Sequence, residues 1–480
     1  MPATLSLRED TIHRIAPDSE AVTAARGLLR KNSFLNPGIS ADQTWLLGRC
    51  KGSGKQPYEV SVDLADPSSP TCRCNCPSRK FPCKHGLGLM LLYLESADKF
   101  SEREPAAELL AKREKKAVRD QKKAEGGEAT PRKINKAALA KKASAQRDGL
   151  DLLEKLVVDL VSGGQWFEET RLDKLERQAK QLGDAYLPGA MYVLNRLILA
   201  GRDEGLSDDE RMARASDLIG HLWATVQKGR NYLDEKIAGD ESQAEADAAV
   251  EDVLGKVWQL TELKEKGYWK TGLSLLELAY ERLDDEARQQ RVETSHLIEL
   301  GDGSMCQAIT YRPFKGMKQI PEQPSFTQPL KIAEAGVYPG FLNRRVRWDK
   351  GAEQAEELKL AHLKKVYGFA RPEFKAALEA FRQQLKHPLA PREAVMLLRC
   401  ERIGKVGDCV VLEDAAGTRI EAADQRKDYS NTANLVRAAG MLGKDRPALL
   451  VRLFVRSVAN SVAAYSLAAL TAKHHLRLGL

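Results

Sequence analysis

Between Ser19 and Lys31, apolar side chains recur at Val22, Ala25, Leu28 and Leu29, a spacing that gathers them on one face of an α-helix. The period then changes. Thr44–Cys50 and Tyr58–Leu64 read as strands, the second alternating cleanly with Tyr58, Val60, Val62 and Leu64 on one side. Lys51-Gly52-Ser53-Gly54-Lys55 joins them as a hairpin loop, and Pro67-Ser68-Ser69-Pro70 ends the second run. From His85 to Ser96 the text is almost continuously apolar, through Leu87, Leu89, Met90, Leu91 and Leu92, which fits a short buried helix.

Helical spacing returns over residues 148–288. It predicts helices at Leu150–Val161, Arg171–Leu182, Met191–Ala200, Asp208–Gln227, Ala248–Lys264 and Gly272–Glu286. Leu152, Leu153, Leu156, Val157 and Leu160 form the apolar stripe of the first. Glu168-Glu169 and Asp208-Asp209-Glu210 read as acids favoured at helix starts. Trp166, Trp223, Trp258 and Trp269 are expected as core anchors. Beyond Val292 the pattern turns to strands, at 296–300, 305–312, 345–348, 394–402, 408–413, 418–422, 448–456 and 461–470. A charged helical stretch at 353–385, divided near Gly368 and Pro372, and a helix at 431–442 interrupt them. A small β-barrel and a sandwich with helical insertions both satisfy this text.

The expected architecture is therefore α+β and multidomain. Residues 1–100 form an N-terminal ββα domain, 101–147 a basic linker (partly helical or disordered), and 148–288 a central α-helical bundle. Residues 289–480 form a C-terminal β-rich domain with a helical insertion near 353–386. A chain of 480 residues is long enough for several cores. It shows no apolar run long enough to span a bilayer and no secretory leader pattern, so a cytoplasmic protein without a membrane partner is expected. Charge is uneven: residues 101–147 hold 14 basic against seven acidic side chains, although the whole chain is only +8. That excess suits a polyanion, and equally a solvated spacer.

Four of the eight cysteines, Cys72, Cys74, Cys76 and Cys83, fall within twelve residues. The scattered others, Cys50, Cys306, Cys400 and Cys409, are expected as small buried hydrophobes. Zinc takes four tetrahedral ligands, with thiolate sulfur at about 2.3 Å and imidazole nitrogen at about 2.0 Å. Cys74 and Cys76 reach one ion if Asn75 bulges outward, and Cys83 with His85 does the same at a helix entry. Pro77 and Pro82 stiffen the six residues between the pairs. A Cys3His set leaves no vacant position for an activated water, so the expected Zn2+ is a single structural ion. Three thiolates on one zinc leave a net charge of about −1, and Arg73, Arg79, Lys80 and Lys84 either balance it or grip phosphate. A rival register would use Cys72 and Cys74 as the first pair.

Cys74-Asn75-Cys76, six residues, then Cys83-Lys84-His85 resembles the SWIM zinc finger, whose pattern is CxC, a variable gap and CxH. With Pro57-Tyr58-Glu59-Val60 before it and Gly86-Leu87-Gly88-Leu89 after it, the text looks like bacterial SWIM proteins in particular. The resemblance covers about the first hundred residues. It implies a hairpin carrying CxC, a helix opening at CxH, ligands Cys74, Cys76, Cys83 and His85, and binding to DNA or to protein partners. Cys72 lies outside the motif.

Phosphate loops, nucleophile elbows and zinc-protease helices are missing from the text, and Gly52-Ser53-Gly54-Lys55 lies between strands, the wrong context for a phosphate loop. His474-His475 has no cysteine or carboxylate beside it and is expected as an ordinary surface or core pair. The leading expectation is a non-enzymatic zinc-binding recognition protein that engages DNA through finger and linker, with no small-molecule substrate. Its alternative is a protein–protein adaptor in which the zinc is only a staple; an enzyme housed in 289–480 is the third.

Overall fold

The computed structural model describes residues 7–52, 56–67, 70–76, 78, 81–111, 113–114, 136–163, 167–238, 248–317, 320, 322, 325–349, 351, 353–425, 430–442 and 446–479. The chain mixes helix and sheet and divides into two compact units, Met1–Lys133 and Ile134–Leu480.

In the first unit, the expected amphipathic helix is α2 (Ser19–Arg30), capped by Asp18, whose carboxylate accepts from the Ala21 N–H at 2.7 Å. A short α1 (Glu9–Ile15) precedes it and buries Ile12. Four strands run as an antiparallel meander: β1 (Phe34–Ile39), β2 (Trp45–Cys50), β3 (Tyr58–Asp63) and β4 (Thr71–Cys74). A two-residue β5 (Ser101–Glu102) adds in parallel to β1. Helix α3 (Lys84–Glu95) packs against α2 and the sheet, burying Leu87, Leu89, Met90 and Leu91 with Leu46, Val60 and Val62. The finger thus rests on a five-stranded sheet rather than on an isolated ββα unit.

The basic segment is not a free linker at its start. Arg113 donates to both carboxylate oxygens of Asp63 (2.7 and 3.0 Å) and to the Thr44 hydroxyl and carbonyl, and its guanidinium lies 4.3 Å from the Trp45 ring centroid. Trp45 itself is fully buried. At the other end, α4 (Lys136–Ser162) is already helical eleven residues before the expected boundary at 147. Residues 115–135, with most of the basic run, lie outside the described residues.

The second unit opens with four long helices, α4, α5 (Glu169–Asp184), α6 (Pro188–Arg202) and α7 (Asp208–Ala238), around a leucine-rich core that includes Leu153, Leu156, Leu175, Leu194, Leu197 and Leu222. The helix expected over 248–264 is two short ones, α8 (Ala248–Val253) and α9 (Leu260–Glu265), separated at Gly255, whose φ of +72° a helix cannot hold. The helix expected over Gly272–Glu286 is instead the 17-residue strand β6 (Trp269–Asp285). Three of the four tryptophans are not core anchors, since Trp223 is exposed and Trp258 and Trp269 are half-buried; Trp166 lies outside the described residues.

β6 begins a closed barrel with β7 (Gln290–Glu299), β8 (Met305–Pro313), β9 (Leu330–Val337) and β10 (Arg344–Arg347). The first half of β6 pairs with β9 and the second half with β7. β7 pairs with β8, β8 runs parallel to β10, and β10 returns to β9, which completes the ring. Leu273, Leu275, Leu297, Ile332 and Val346 fill it. β11 (Glu353–Ala355) adds to β9 where helix was expected, and α10 (Leu360–Phe369) and α11 (Phe374–Leu385) follow, split between Gly368 and Pro372 as anticipated.

A second barrel repeats the connectivity of the first. β12 (Glu393–Arg399) and β13 (Arg402–Val406) are halves of one bent strand. Backbone bonds from Cys400 N to Pro447 O and from Glu401 N to Glu413 O carry the pairing through the bend. The first half pairs with β16 (Ala448–Arg456), the second with β14 (Cys409–Glu413). β14 pairs with β15 (Arg419–Ala422), β15 runs parallel to β17 (Ser461–Leu470), and β17 pairs with β16. β18 (His475–Arg477) borders β17, and α12 (Asn431–Leu442) joins β15 to β16. Each barrel therefore has the strand order one-two-three-five-four, with its third and fifth strands parallel. Of the two architectures the sequence left open for the C-terminal region, the barrel is the one formed, and it is formed twice.

The barrels meet through Leu276, Leu278 and Ile298 of the first and Val395, Leu397, Leu450 and Leu467 of the second. Within this seam Glu281 accepts from His296 Nε2 at 2.6 Å and pairs with Arg452.

Candidate metal centre

The metal-ligand pairs sit at two element ends. Cys74 is the last residue of β4, held in register opposite Val60 of β3. Beyond it the chain turns back on itself. The Asn75 amide oxygen accepts from the Glu59 N–H at 2.9 Å, and the Asn75 N–H reaches the Glu59 carbonyl. Asn75 is thereby tied to the neighbouring strand, which leaves Cys74 and Cys76 to face the same point. Across the loop, Cys83 is the N-cap of α3 and His85 its second residue, with Lys84 between them exposed.

The donor atoms of Cys74, Cys76, Cys83 and His85 all lie within 4.8 Å of one another. Cys74 Sγ and Cys83 Sγ stand 3.7 and 3.8 Å from His85 Nδ1. Ligands at zinc–sulfur and zinc–nitrogen bond lengths on a tetrahedron are separated by about 3.6 Å, so these spacings fit one structural Zn2+ bound through Nδ1. Cys83 and His85 are buried, Cys74 and Cys76 half-buried, and these four protein donors would fill a tetrahedral ion.

The electrostatics favour thiolate at the helix entry. A hydrogen bond from Cys74 lowers the Cys83 thiol to about 3, with help from His85 and from the Gly86 and His85 amides at the start of α3, against the opposing effect of burial. Cys74 is correspondingly raised, chiefly by its role as donor to Cys83. A bound zinc removes that shared proton and makes both ligands thiolates.

Cys72 is built for something else. It is 2% exposed, packs in the core of the first unit, and burial pushes its thiol up to about 12. A Cβ on Gly86 would come within 3.0 Å of its Sγ, so glycine here lets α3 close over the β4 cysteine. The register pairing Cys72 with Cys74 is not the one that converges. Cys50, Cys306 and Cys400 are buried as anticipated, whereas Cys409 is exposed. His475 is half-buried, donates from Nε2 to the Leu278 carbonyl at 2.8 Å, and belongs to no metal-type group among the described residues.

Of the four cations near the loop, Arg73 is half-buried and Lys84 exposed, while Arg79 and Lys80 lie outside the described residues. Two features escaped sequence reasoning. Tyr58 places its ring 5.0 Å from that of His85, and Phe81, at 64% exposure, stands out at the loop beside Lys84. Alternation in β3 marked Tyr58 as inward-facing, but nothing in the text named its partner.

No helix among the described residues is long and apolar enough to cross a membrane. No curated protein and no solved structure matches the chain. Residues 58–94, from the start of β3 almost to the end of α3, match the model of the SWIM zinc finger family. Cysteine pair, strand end, helix entry and family model coincide on the same residues, and this segment of the chain is a SWIM zinc finger with Cys74, Cys76, Cys83 and His85 positioned to bind its metal.

Proposed function

We propose that the chain is a non-enzymatic, cytoplasmic recognition protein whose zinc-stapled unit binds DNA through the finger and the basic segment beside it. The observation that carries this reading is Arg113. It pins the start of the 101–147 segment, with its 14 basic and seven acidic residues, onto the core that the finger helps to build. Lys112, Lys115, Lys116, Lys122 and Lys123 are adjacent in sequence to that folded anchor. Lys84 and the exposed Phe81 add a cation and an apolar contact at the zinc loop. A filled coordination sphere supports a metal that shapes a surface instead of activating water.

Titration of the full chain with duplex DNA at rising salt tests this. Replacing Lys115, Lys116, Lys122 and Lys123 with Gln is expected to weaken binding about tenfold or more and to lower the salt slope by about 3 to 4. No binding at low salt, or binding indifferent to these substitutions, overturns the DNA reading. A protein partner retained after nuclease treatment, with the finger variants losing it, would establish the adaptor reading in its place.

A further inference from the structure

Barrels of five strands in this Greek-key arrangement offer ligands the outer face of their second and third strands, flanked by the loops after the first and fourth strands. In the first barrel the second barrel covers that face at His296 and Ile298, and the half-exposed remainder is Val292 and Thr294 of β7 with Ile309 and Tyr311 of β8, bordered by β10 and the loops at 286–289 and 338–343. We propose that it binds single-stranded nucleic acid, with Tyr311, Tyr338, Arg288 and Arg345 as the contact residues.

The argument rests on the side chains. Arg345 of β10 lies 5.3 Å from the Tyr311 ring of β8 and 4.9 Å from the Tyr338 ring of the second loop, and donates to the Ile309 carbonyl at 3.1 Å. Its Nε is buried without a hydrogen-bond partner. Arg288, in the first loop, is exposed, with its guanidinium 3.9 Å above Tyr192 of α6, and Asn195 braces the same loop by donating to the Ala287 carbonyl. Arg347 extends the outward row of β10 and is exposed. Among the described residues none of Arg196, Arg288, Arg345 and Arg347 makes an ion pair. Two acids lie near them: Asp285, whose carboxylate accepts from the Arg288 N–H at 3.2 Å and bonds Tyr192, and Asp252 of α8, beside Arg288 and Arg345. Cations without carboxylate partners serve phosphates, and tyrosine and guanidinium planes serve unstacked bases, which a duplex does not present.

The second barrel supplies an internal comparison. Its equivalent face, β14–β15, presents Cys409, Val411, Glu413, Arg419 and Glu421, with no aromatic ring. There Arg402 and Arg419 both pair with Glu413, and Arg456 pairs with Glu421. One topology thus carries two different faces, and only the first has the charge and ring chemistry of a strand-binding groove.

This inference stands apart from the finger reading, and one set of titrations separates them. The full chain is titrated with a fluorescent oligo(dT) of about 20 nucleotides, long enough to cover one barrel. Arg288→Gln with Arg345→Gln should weaken binding about tenfold or more and lower the salt slope by about 1.4, two single-strand phosphate contacts' worth. Tyr338→Ala should weaken it, while Tyr338→Phe, which keeps the ring and tests for mere loss of folding, should not. Arg402→Gln with Arg419→Gln, and the lysine variants of the basic segment, should leave the dependence on Arg288 and Arg345 intact. Oligo(dT) affinity unchanged by the Arg288/Arg345 pair, or reduced equally by the Arg402/Arg419 pair, overturns the proposal, as does capture of an acidic peptide but no oligonucleotide.

Discussion

Cys72 and Cys76 flank the ligand Cys74 at equal spacing in the sequence, yet the fold gives them opposite fates. Strand geometry turns Cys72 into the core, where α3 closes on it, while the Asn75 tie to Glu59 swings Cys76 towards the metal. Cys76→Ser and Cys83→Ser are each expected to release zinc, whereas Cys72→Ser keeps it and costs about 1–3 kcal/mol for the buried hydroxyl. Metal analysis of the three purified variants checks this; zinc lost from Cys72→Ser would contradict the assignment. Arg113 offers a second residue-level test. Its replacement by Ala leaves Asp63, a nearly buried carboxylate, without its bidentate partner and uncovers Trp45. Destabilisation of the first unit by about 1–3 kcal/mol is expected in denaturant unfolding. The four ligands were legible because metal chemistry fixes residue types at short spacing. Arg113 was not, because a bond spanning fifty residues leaves no local mark.

At the level of elements, legibility follows how many faces are apolar. β3 carries apolar side chains on one face, with buried Ser61 and Asp63 on the other, and alternates; β6 carries them on both. Leu273 and Leu275 fill the first barrel while Leu276 and Leu278 meet the second, and an irregularity between Glu277 and Ala279 shifts the alternation midway. Its residues are also good helix formers, so period and propensity both pointed to a helix that tertiary burial overrides. β1 escaped notice for a related reason, since Asn36 at φ 46° and Pro37 break its pattern. The barrel seam sets an acid response. Burial pushes Glu281 up, but Arg452 and His296 outweigh it and hold the carboxyl at about 2 against 4.5 when unfolded. A depressed folded value stabilises above the unfolded one, so stability on the order of 3 kcal/mol should fade as pH drops from 4.5 towards 2. Burial likewise lowers His475 to about 4 from 6.5, so a further loss should run from pH 6.5 down to 4. Unfolding of the second unit followed against pH should show both windows. His475→Gln should flatten the upper and Glu281→Gln the lower; windows that persist in these variants would assign the response elsewhere.

On the scale of the whole molecule, a small unit carrying the four metal-ligand side chains and a large unit of helices and paired barrels share one chain. The duplication of the barrel was invisible in the text because the two copies share strand order and parallel closure but not residues: β6 is continuous where β12 and β13 bend through Cys400 and Glu401, and the 12-residue α12 joins the third and fourth strands of the second, where the described part of the first has a single 3-10 turn at Phe314–Gly316. The central claim concerns the smaller unit, in which four side chains fasten a strand end to a helix entry. Zinc-finger peptides draw on the order of 10 kcal/mol from such an ion, so its removal should unfold the segment it closes. The direct measurement is metal content together with amide hydrogen exchange before and after treatment with a strong chelator. One zinc per chain is expected, and on stripping, protection should vanish across residues 58–94 while the barrels at 269–479 keep theirs. A purified chain without bound zinc, or a finger whose exchange does not change when the metal is removed, would contradict the account.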